Sequence, residues 1–228
     1  MPPVSDPGPD MERFERWAPR FDRSPLQLTY FRPIHRTLGA ALSPAGGAGV
    51  LDVGCGTGNL SLRLARRGAI VVGVDPARAM VTRARTKAAA LLARSSGASS
   101  PPRPRFLVAA AEHLPFADGA FDAAVSSISV HHWADPRGGF VELHRVIRPG
   151  GRVAVADMRA HGFIRVRIQR RLHPGHHEGW TAGELSALLR EAGFRRVRRW
   201  TRWWWLGRFA VVLAADRDDG AGTEPDAG

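Results

Sequence analysis

Three glycines at alternate positions, Gly54, Gly56 and Gly58, fall in the stretch LDVGCGTGN. Glycine adopts backbone angles closed to other residues and lets a ligand approach the main chain. A helix starting just after such a loop offers unpaired N–H groups. A dinucleotide fold uses Gly-x-Gly-x-x-Gly there to seat a pyrophosphate. Here the third glycine comes one position early and the loop has no basic residue. That pattern fits a ligand without phosphate. No Gly-Lys-Ser/Thr follows, which excludes a Walker loop. Asp75 ends the run VVGVD. At the end of a second strand it faces the crevice beside the glycine loop, where a carboxylate can accept both ribose hydroxyls. The plainer role for Asp75 is a helix N-cap beside Pro76. His131 and His132 are candidates for a general base, with His35 and His161 as lesser ones. For each of these the plainer role is a hydrogen-bonded histidine in a wall or on the surface.

The elements that must position these residues alternate along the chain. GVLDV (49–53) is a short apolar run ending at glycines, so a buried strand. Residues 59–66 carry Leu60, Leu64 and Ala65 at helical spacing, with cations at the end, where the helix dipole favours them. AIVVGVD (69–75) is a second strand. Pro76 starts an alanine-rich helix over 77–93. Strands follow at 105–109 and 121–127. A helix over 136–147 is closed by Pro149-Gly150-Gly151, and RVAVAD (152–157) is strand five. Thr181 caps a helix to about Ala192, with Glu184 completing a capping box. FRRVRRWTRWWW and RFAVVLAAD flank Leu206-Gly207 and read as an antiparallel pair. The expected fold is α/β: a doubly wound, Rossmann-like, seven-stranded sheet, mostly parallel with a C-terminal antiparallel hairpin. Residues 1–10 and 217–228 read as disordered, 11–47 as a helical cover over the site, and 48–216 as the domain. Ser95–Pro104 is a long polar loop.

Composition narrows the classes. The 228 residues are 44% hydrophobic, enough for a core of normal size. No apolar run approaches the ~20 residues of a membrane span, and the N-terminus lacks a secretory signal pattern. The expected location is cytoplasmic. One cysteine, Cys55, excludes an internal disulfide and a cysteine-rich zinc site, and no metal is expected. The formal net charge is +12, and Lys87 is the only lysine. GC-rich codon usage would produce that arginine excess without function. The alternative is an anionic partner: RNA, a phosphorylated metabolite or an acidic membrane surface.

LDVGCGTGN, VVGVD, AEHLPF, FDAAVSSISVHHW and RVIRPGGRVAVAD stand in the order and spacing of the small-molecule class I methyltransferases. The chain resembles that group, which includes quinone-biosynthesis C-methyltransferases, over about residues 48–160. The resemblance implies S-adenosyl-L-methionine as cofactor. Asp52, Gly54, Gly56 and Gly58 then form the loop for its methionine part, and Asp75 binds its ribose. Pro76 to Met80 lie near the adenine, with Met80 on the ring. Ala111 and Glu112 run past the adenine edge, and Ser127 to Ser129 line the crevice. Family members often have an acidic residue two before the glutamate of AEHLPF; here it is Ala110. That hydrogen bond must come from Glu112 or backbone, or be absent.

Methyl transfer needs a nucleophile aligned behind the methyl and water excluded. A weakly acidic acceptor also needs a base. Cys55, between two cofactor-loop glycines, is expected to pack rather than react. After strand four the chain reads SSIS, not the Asn/Asp-Pro-Pro-aromatic box of amino-methylating nucleic-acid enzymes. Both features count against a nucleic-acid acceptor. The expected partner is a small-molecule methyl acceptor. The alternatives are an RNA or protein methyltransferase using the basic C-terminal region, and a cofactor-binding protein without turnover. Trp203–Trp205 could form a base-stacking platform, but strand packing is the favoured role. Phe21, Tyr30 and Phe31, interleaved with Arg20, Arg23 and Arg32, are expected to close an apolar acceptor pocket.

Overall fold

Strand residues that alternate between two apolar faces need helices on both sides, and the chain supplies them. A computed structural model describes residues 9–93, 101–159, 179–200 and 210–218. Helix α1 (Pro9–Phe21) leads through a wide turn at Gln27–Phe31 into α2 (Arg32–Leu42). Then come β1 (Gly49–Val53), α3 (Asn59–Ala65), β2 (Ile70–Asp75), α4 (Arg78–Ala93) and β3 (Arg105–Val108). β4 (Phe121–Ser127), α5 (Pro136–Val146) and β5 (Ile147–Met158) follow. The described chain closes with α6 (Ala182–Glu191), β6 (Phe194–Arg199) and β7 (Ala210–Arg217).

The seven strands lie in the order β3-β2-β1-β4-β5-β7-β6. β3 through β5 are parallel, while β7 runs antiparallel to both β5 and β6. The winding reverses between β1 and β4. Such a switch point opens a crevice at the carboxyl ends of the strands.

Period-two alternation divides the core. Leu51, Val53, Val153 and Val155 face α5 and α6, meeting Phe140, Leu143, Leu185 and Leu189. Val50, Val125, Ala154 and Val212 face the other way, toward Ile34 and Leu38 of α2 and Leu60 and Leu64 of α3. The Thr181 capping box forms as its sequence implies, with Thr181 Oγ1 accepting from Glu184 N and the Glu184 carboxylate accepting from Thr181 N.

Three boundaries differ from the sequence reading. The helix expected to end at Ile147 stops at Val146, where Arg217 donates to the carbonyls of His144 (2.6 Å) and Arg145 (3.0 Å). Pro149-Gly150-Gly151 does not separate helix from strand but lies inside β5. The register with β4 jumps from Phe121–Ile147 to Ala123–Arg152, so these residues form a bulge. A Cβ at Gly151 would stand 2.6 Å from Asp122 O, which only glycine avoids. At the ends, α1 begins at Pro9 and β7 includes Arg217, each inside a segment read as disordered. His161, Trp203–Trp205, the hairpin turn and most of the two termini lie outside the described residues, as do residues 94–100 of the polar loop.

The segment read as one cover divides in two. Helix α2 belongs to the layered core, with Ile34 and Leu38 fully buried. Leu38→Ala is therefore expected to cost about 2–5 kcal/mol of stability, the range for a leucine truncated in a core. Urea denaturation checks this; a loss below about 1 kcal/mol, as at a surface, would remove α2 from the core.

Candidate active site

Backbone hydrogen bonds fix the glycine loop first. The amides of Gly54 and Cys55 both donate to Val74 O, at 2.9 and 3.0 Å. The next amide, Gly56 N, donates to Asp75 Oδ2 at 2.8 Å. All three loop glycines have positive φ, between 52° and 78°. At Gly54 a Cβ would collide with Ser129 Oγ at 2.3 Å, whereas at Gly56 it would meet nothing within 4 Å. Gly56 thus presents bare main chain to open space.

That space is a cavity of about 690 Å³ at the carboxyl ends of the five parallel strands. It brings together Asp52, Gly54, Gly56, Asp75, Pro76 and Met80 from the first half of the site. Ala111, Glu112, Ser127, His131 and His132 line the rest. Gly58 does not line it. Its Cβ would strike Phe106 at 2.9 Å, so the missing side chain lets α3's start pack closely. Cys55 packs, as expected, buried with Leu62, Val81 and Phe106.

Asp75 fills its plainer role and keeps capacity for another. Oδ1 accepts from Ala77 N at 2.9 Å while Oδ2 holds Gly56. Each carboxylate oxygen has a second lone pair for a ligand hydroxyl. Burial pushes Asp75 up to about 6, against the pull of the two amides. Asp52 is deeper, almost fully buried, and accepts from Ser61 Oγ at 2.5 Å. Burial pushes it to about 7. Its carboxylate braces α3 under the loop. Glu112 accepts from Asp135 N at 3.0 Å. Ser127 Oγ is buried without a partner, and Ile128 sits at φ 55°, strained for a β-branched residue.

The histidine pair is asymmetric. His131 Nδ1 lies 2.5 Å from Asp157 Oδ1, and its amide donates to Asp157 Oδ2 at 3.0 Å. Asp157 is wholly buried. A neutral imidazole donating through Nδ1 keeps its Nε2 lone pair free to take a proton. His132 instead packs edge-on against Phe14, centroids 4.8 Å apart. His35 is buried, and burial followed by the charges of Arg63 and Lys87 lowers it to about 3, so it stays neutral. Asp157 escaped the sequence reading, although it ends a strand as Asp75 does.

The N-terminal segment supplies the remaining wall. Phe14, Trp17, Phe21, Tyr30 and Phe31 line the cavity, and Phe21 meets Phe31 edge-on at 5.4 Å. Burial first, then the charge of Asp157, holds the Tyr30 phenol well above its usual range. Two acids tie the segment down. Glu15 Oε2 accepts from Ala79 N at 2.9 Å. Asp22 accepts from Thr57 Oγ1 (2.7 Å), Asn59 Nδ2 (3.1 Å), Lys87 Nζ (2.9 Å) and Arg83 Nε (2.8 Å). Burial alone would raise Asp22, but its donors outweigh that and lower it.

Asp52 and Asp75 make a pH dependence. Both carboxyls ionise near 3.8 when unfolded but at about 7 and about 6 when folded. The folded state therefore binds more protons between those values, and these groups' contribution to stability falls as pH rises through that window. Urea melts at several pH values should show Asp52→Asn losing less stability than wild type between about pH 4 and 7. Parallel curves would mean that Asp52 does not titrate there.

Residues 51–155 match the family model described as a methyltransferase domain. The chain is 32% identical over 173 residues to O-methyltransferase rstn1 of Aspergillus nomiae, covering 72% of each protein. It is 40% identical over 149 residues to the demethylmenaquinone methyltransferase of Thermus thermophilus, 63% of each. The chain spans about six-tenths of the length of the first curated relatives it matches. Among solved structures, the 4+2 cyclase SpnF superposes with a TM-score of 0.67 at 23% identity, over 82% of both chains. With 72% of the Aspergillus nomiae protein covered at 32% identity, and residues 51–155 matching the domain model, the chain belongs to the methyltransferase-domain family.

Proposed function

We propose that this protein transfers a methyl group from S-adenosyl-L-methionine to a hydroxyl oxygen of an apolar, aromatic small molecule. The observation that carries the choice of oxygen is the His131–Asp157 pair in the cavity wall. An acceptor hydroxyl is a poor nucleophile until its proton is removed, and a histidine oriented by a buried carboxylate removes it.

The residues present fit the cofactor. Gly56 leaves bare main chain toward the cavity, Asp75 has spare lone pairs, and Met80 and Ala111 offer apolar surface. The unpartnered Ser127 hydroxyl lacks a polar group that a ligand can supply. When bound, S-adenosyl-L-methionine supplies an activated methyl on a sulfonium. The acceptor is oriented by the aromatic wall of Phe14, Trp17, Phe21, Tyr30 and Phe31, which also keeps water out. His131 takes the acceptor's proton on Nε2, and Asp157 stabilises the resulting imidazolium. Tyr30 stays protonated. His35, neutral, adds no charge to the apolar wall.

A second reading is a protein that binds the cofactor without transferring methyl. Its support is the likeness in fold to SpnF, which is described as a cyclase. Labelled cofactor offered with a panel of phenolic acceptors separates the two.

Two further outcomes are expected. Asp75→Ala should weaken binding of S-adenosyl-L-methionine by up to about 1.5–3 kcal/mol per hydrogen bond lost, the value of a hydrogen bond to a charged group. Gly56→Val should abolish it, because a β-branched side chain resists positive φ and enters the open space. Calorimetry on folded variants that bind normally would remove the loop from the cofactor site. On the chemical step, His131→Ala should lower kcat by about 10²–10⁴ while cofactor affinity holds. Asp157→Asn should lower kcat in the same direction. Unchanged kcat in both would leave the acceptor without a protein base.

A further inference from the structure

Several arginines of the described chain sit beside a carboxylate. Arg83, Arg145, Arg148 and Arg152 each pair with an aspartate or glutamate at 2.6–2.8 Å. One group does not. Arg32 and Arg36 on α2 face Arg63, Arg66 and Arg67 at the end of α3, and none of the five makes an ion pair among the described residues. Gly39 makes the crowding possible: a Cβ there would stand 2.9 Å from the Arg67 guanidinium, which lies across α2. Arg63 Nε is buried without a partner. Burial, then its four arginine neighbours, lowers the Arg63 pKa. Like charges gathered without counter-charge destabilise the folded chain, so an anion outside it is the natural complement.

Leu28 continues the same face, and Leu26, two residues before it, lies on the cavity side. Leu28, Arg32 and Arg36 follow one another at helical-turn spacing, and all are exposed. Leu28 is 66% exposed and Leu26 50%. Leu26 also lines the cavity, as do Phe31 and His35 between the arginines. The face therefore borders the mouth of the site.

We propose that this face, Leu28 with the five arginines, together with Leu26 on the adjoining rim of the cavity, docks on an anionic lipid surface and sets the cavity mouth against it. Apolar side chains beside arginines are the pattern of an interfacial segment: the leucines enter the acyl boundary and the guanidiniums meet phosphates. Single-stranded nucleic acid fits less well, because it needs exposed aromatic platforms. The exposed large apolar side chains among the described residues are Leu, Ile and Val only. Docking there would let an apolar acceptor pass from the bilayer into the cavity, a consequence that rests on the methyl-transfer reading; the docking itself does not.

Flotation of the full chain with phosphatidylcholine vesicles, with and without phosphatidylglycerol, tests this. Wild type should float with the anionic vesicles, lose that binding as salt rises, and largely ignore phosphatidylcholine alone. At about fivefold per arginine near an anionic surface, the double variant Arg36→Glu, Arg66→Glu should bind at least about 25-fold more weakly. Leu28→Ser should bind several-fold more weakly and keep its salt dependence. Calorimetry should find cofactor affinity unchanged in both, so a failure of docking stays distinct from a failure of the cofactor site. Equal flotation with both vesicle types would overturn the proposal. So would full binding by the charge-reversed variant, or single-stranded RNA displacing the protein from anionic vesicles at lower phosphate concentration than lipid.

Discussion

A run of backbone in the left-handed region cannot hold itself open; something must satisfy its amides while leaving one side bare. Val74 O takes two amides of the glycine loop and the Asp75 carboxylate takes the third. The same carboxylate then caps the turn into α4 through Ala77. One side chain at the end of β2 thus fixes two loops from neighbouring strands. The crevice depends on that junction, since loops freed from it would close over the switch point or fray into solvent.

The junction is continued outward by charge. Lys87 of α4 reaches Asp22, Thr57 and Asn59 together, so α4, the glycine loop and the N-terminal segment share one set of hydrogen bonds. Glu15 adds a second tie to the start of α4. Glu15 of α1 and Asp22 of the following turn bind inward, while Glu12, Arg13, Arg16, Arg20 and Arg23 stay exposed.

Much of this was legible in the sequence, and the reasons differ by element. Strands β1, β2 and β4 could be read because parallel strands buried on both faces leave continuous apolar runs bounded by glycine or aspartate. The capping box at Thr181 could be read because both partners lie within one turn. Asp75 could be placed beside the glycine loop because strand order and loop position both pointed there. Misreadings came where distant partners decide. Pro149-Gly150-Gly151 looks like a stop, but β4 recaptures the chain around a bulge. Gly58 looks like its two neighbours, yet the ring of Phe106, nearly fifty residues on, fills the space beside it. Asp22 carries no local mark at all, and Asp157, though at the end of β5, gains its role only when His131 folds against it. Helix α2 precedes the first strand and so resembles an appendage, until β7 is seen beneath it.

That last contact has a consequence for how the chain comes off the ribosome. Helix α2 rests on β5 and on β7, with Ile34 and Leu38 sharing a cluster with Val212 and Ala210. β7 inserts between β5 and β6, so the strand made after β6 is the one that joins it to the sheet. Until residues 210–217 have emerged, β5 is an unpaired edge and α2 has half a floor. The parallel half can form during synthesis, but one wall of the cavity cannot settle. Long-range closure of this kind is slow and exposes apolar edges meanwhile. A nascent chain arrested before β7 would therefore hold its glycine loop in an assembled half-sheet and still present an open, adhesive seam to chaperones.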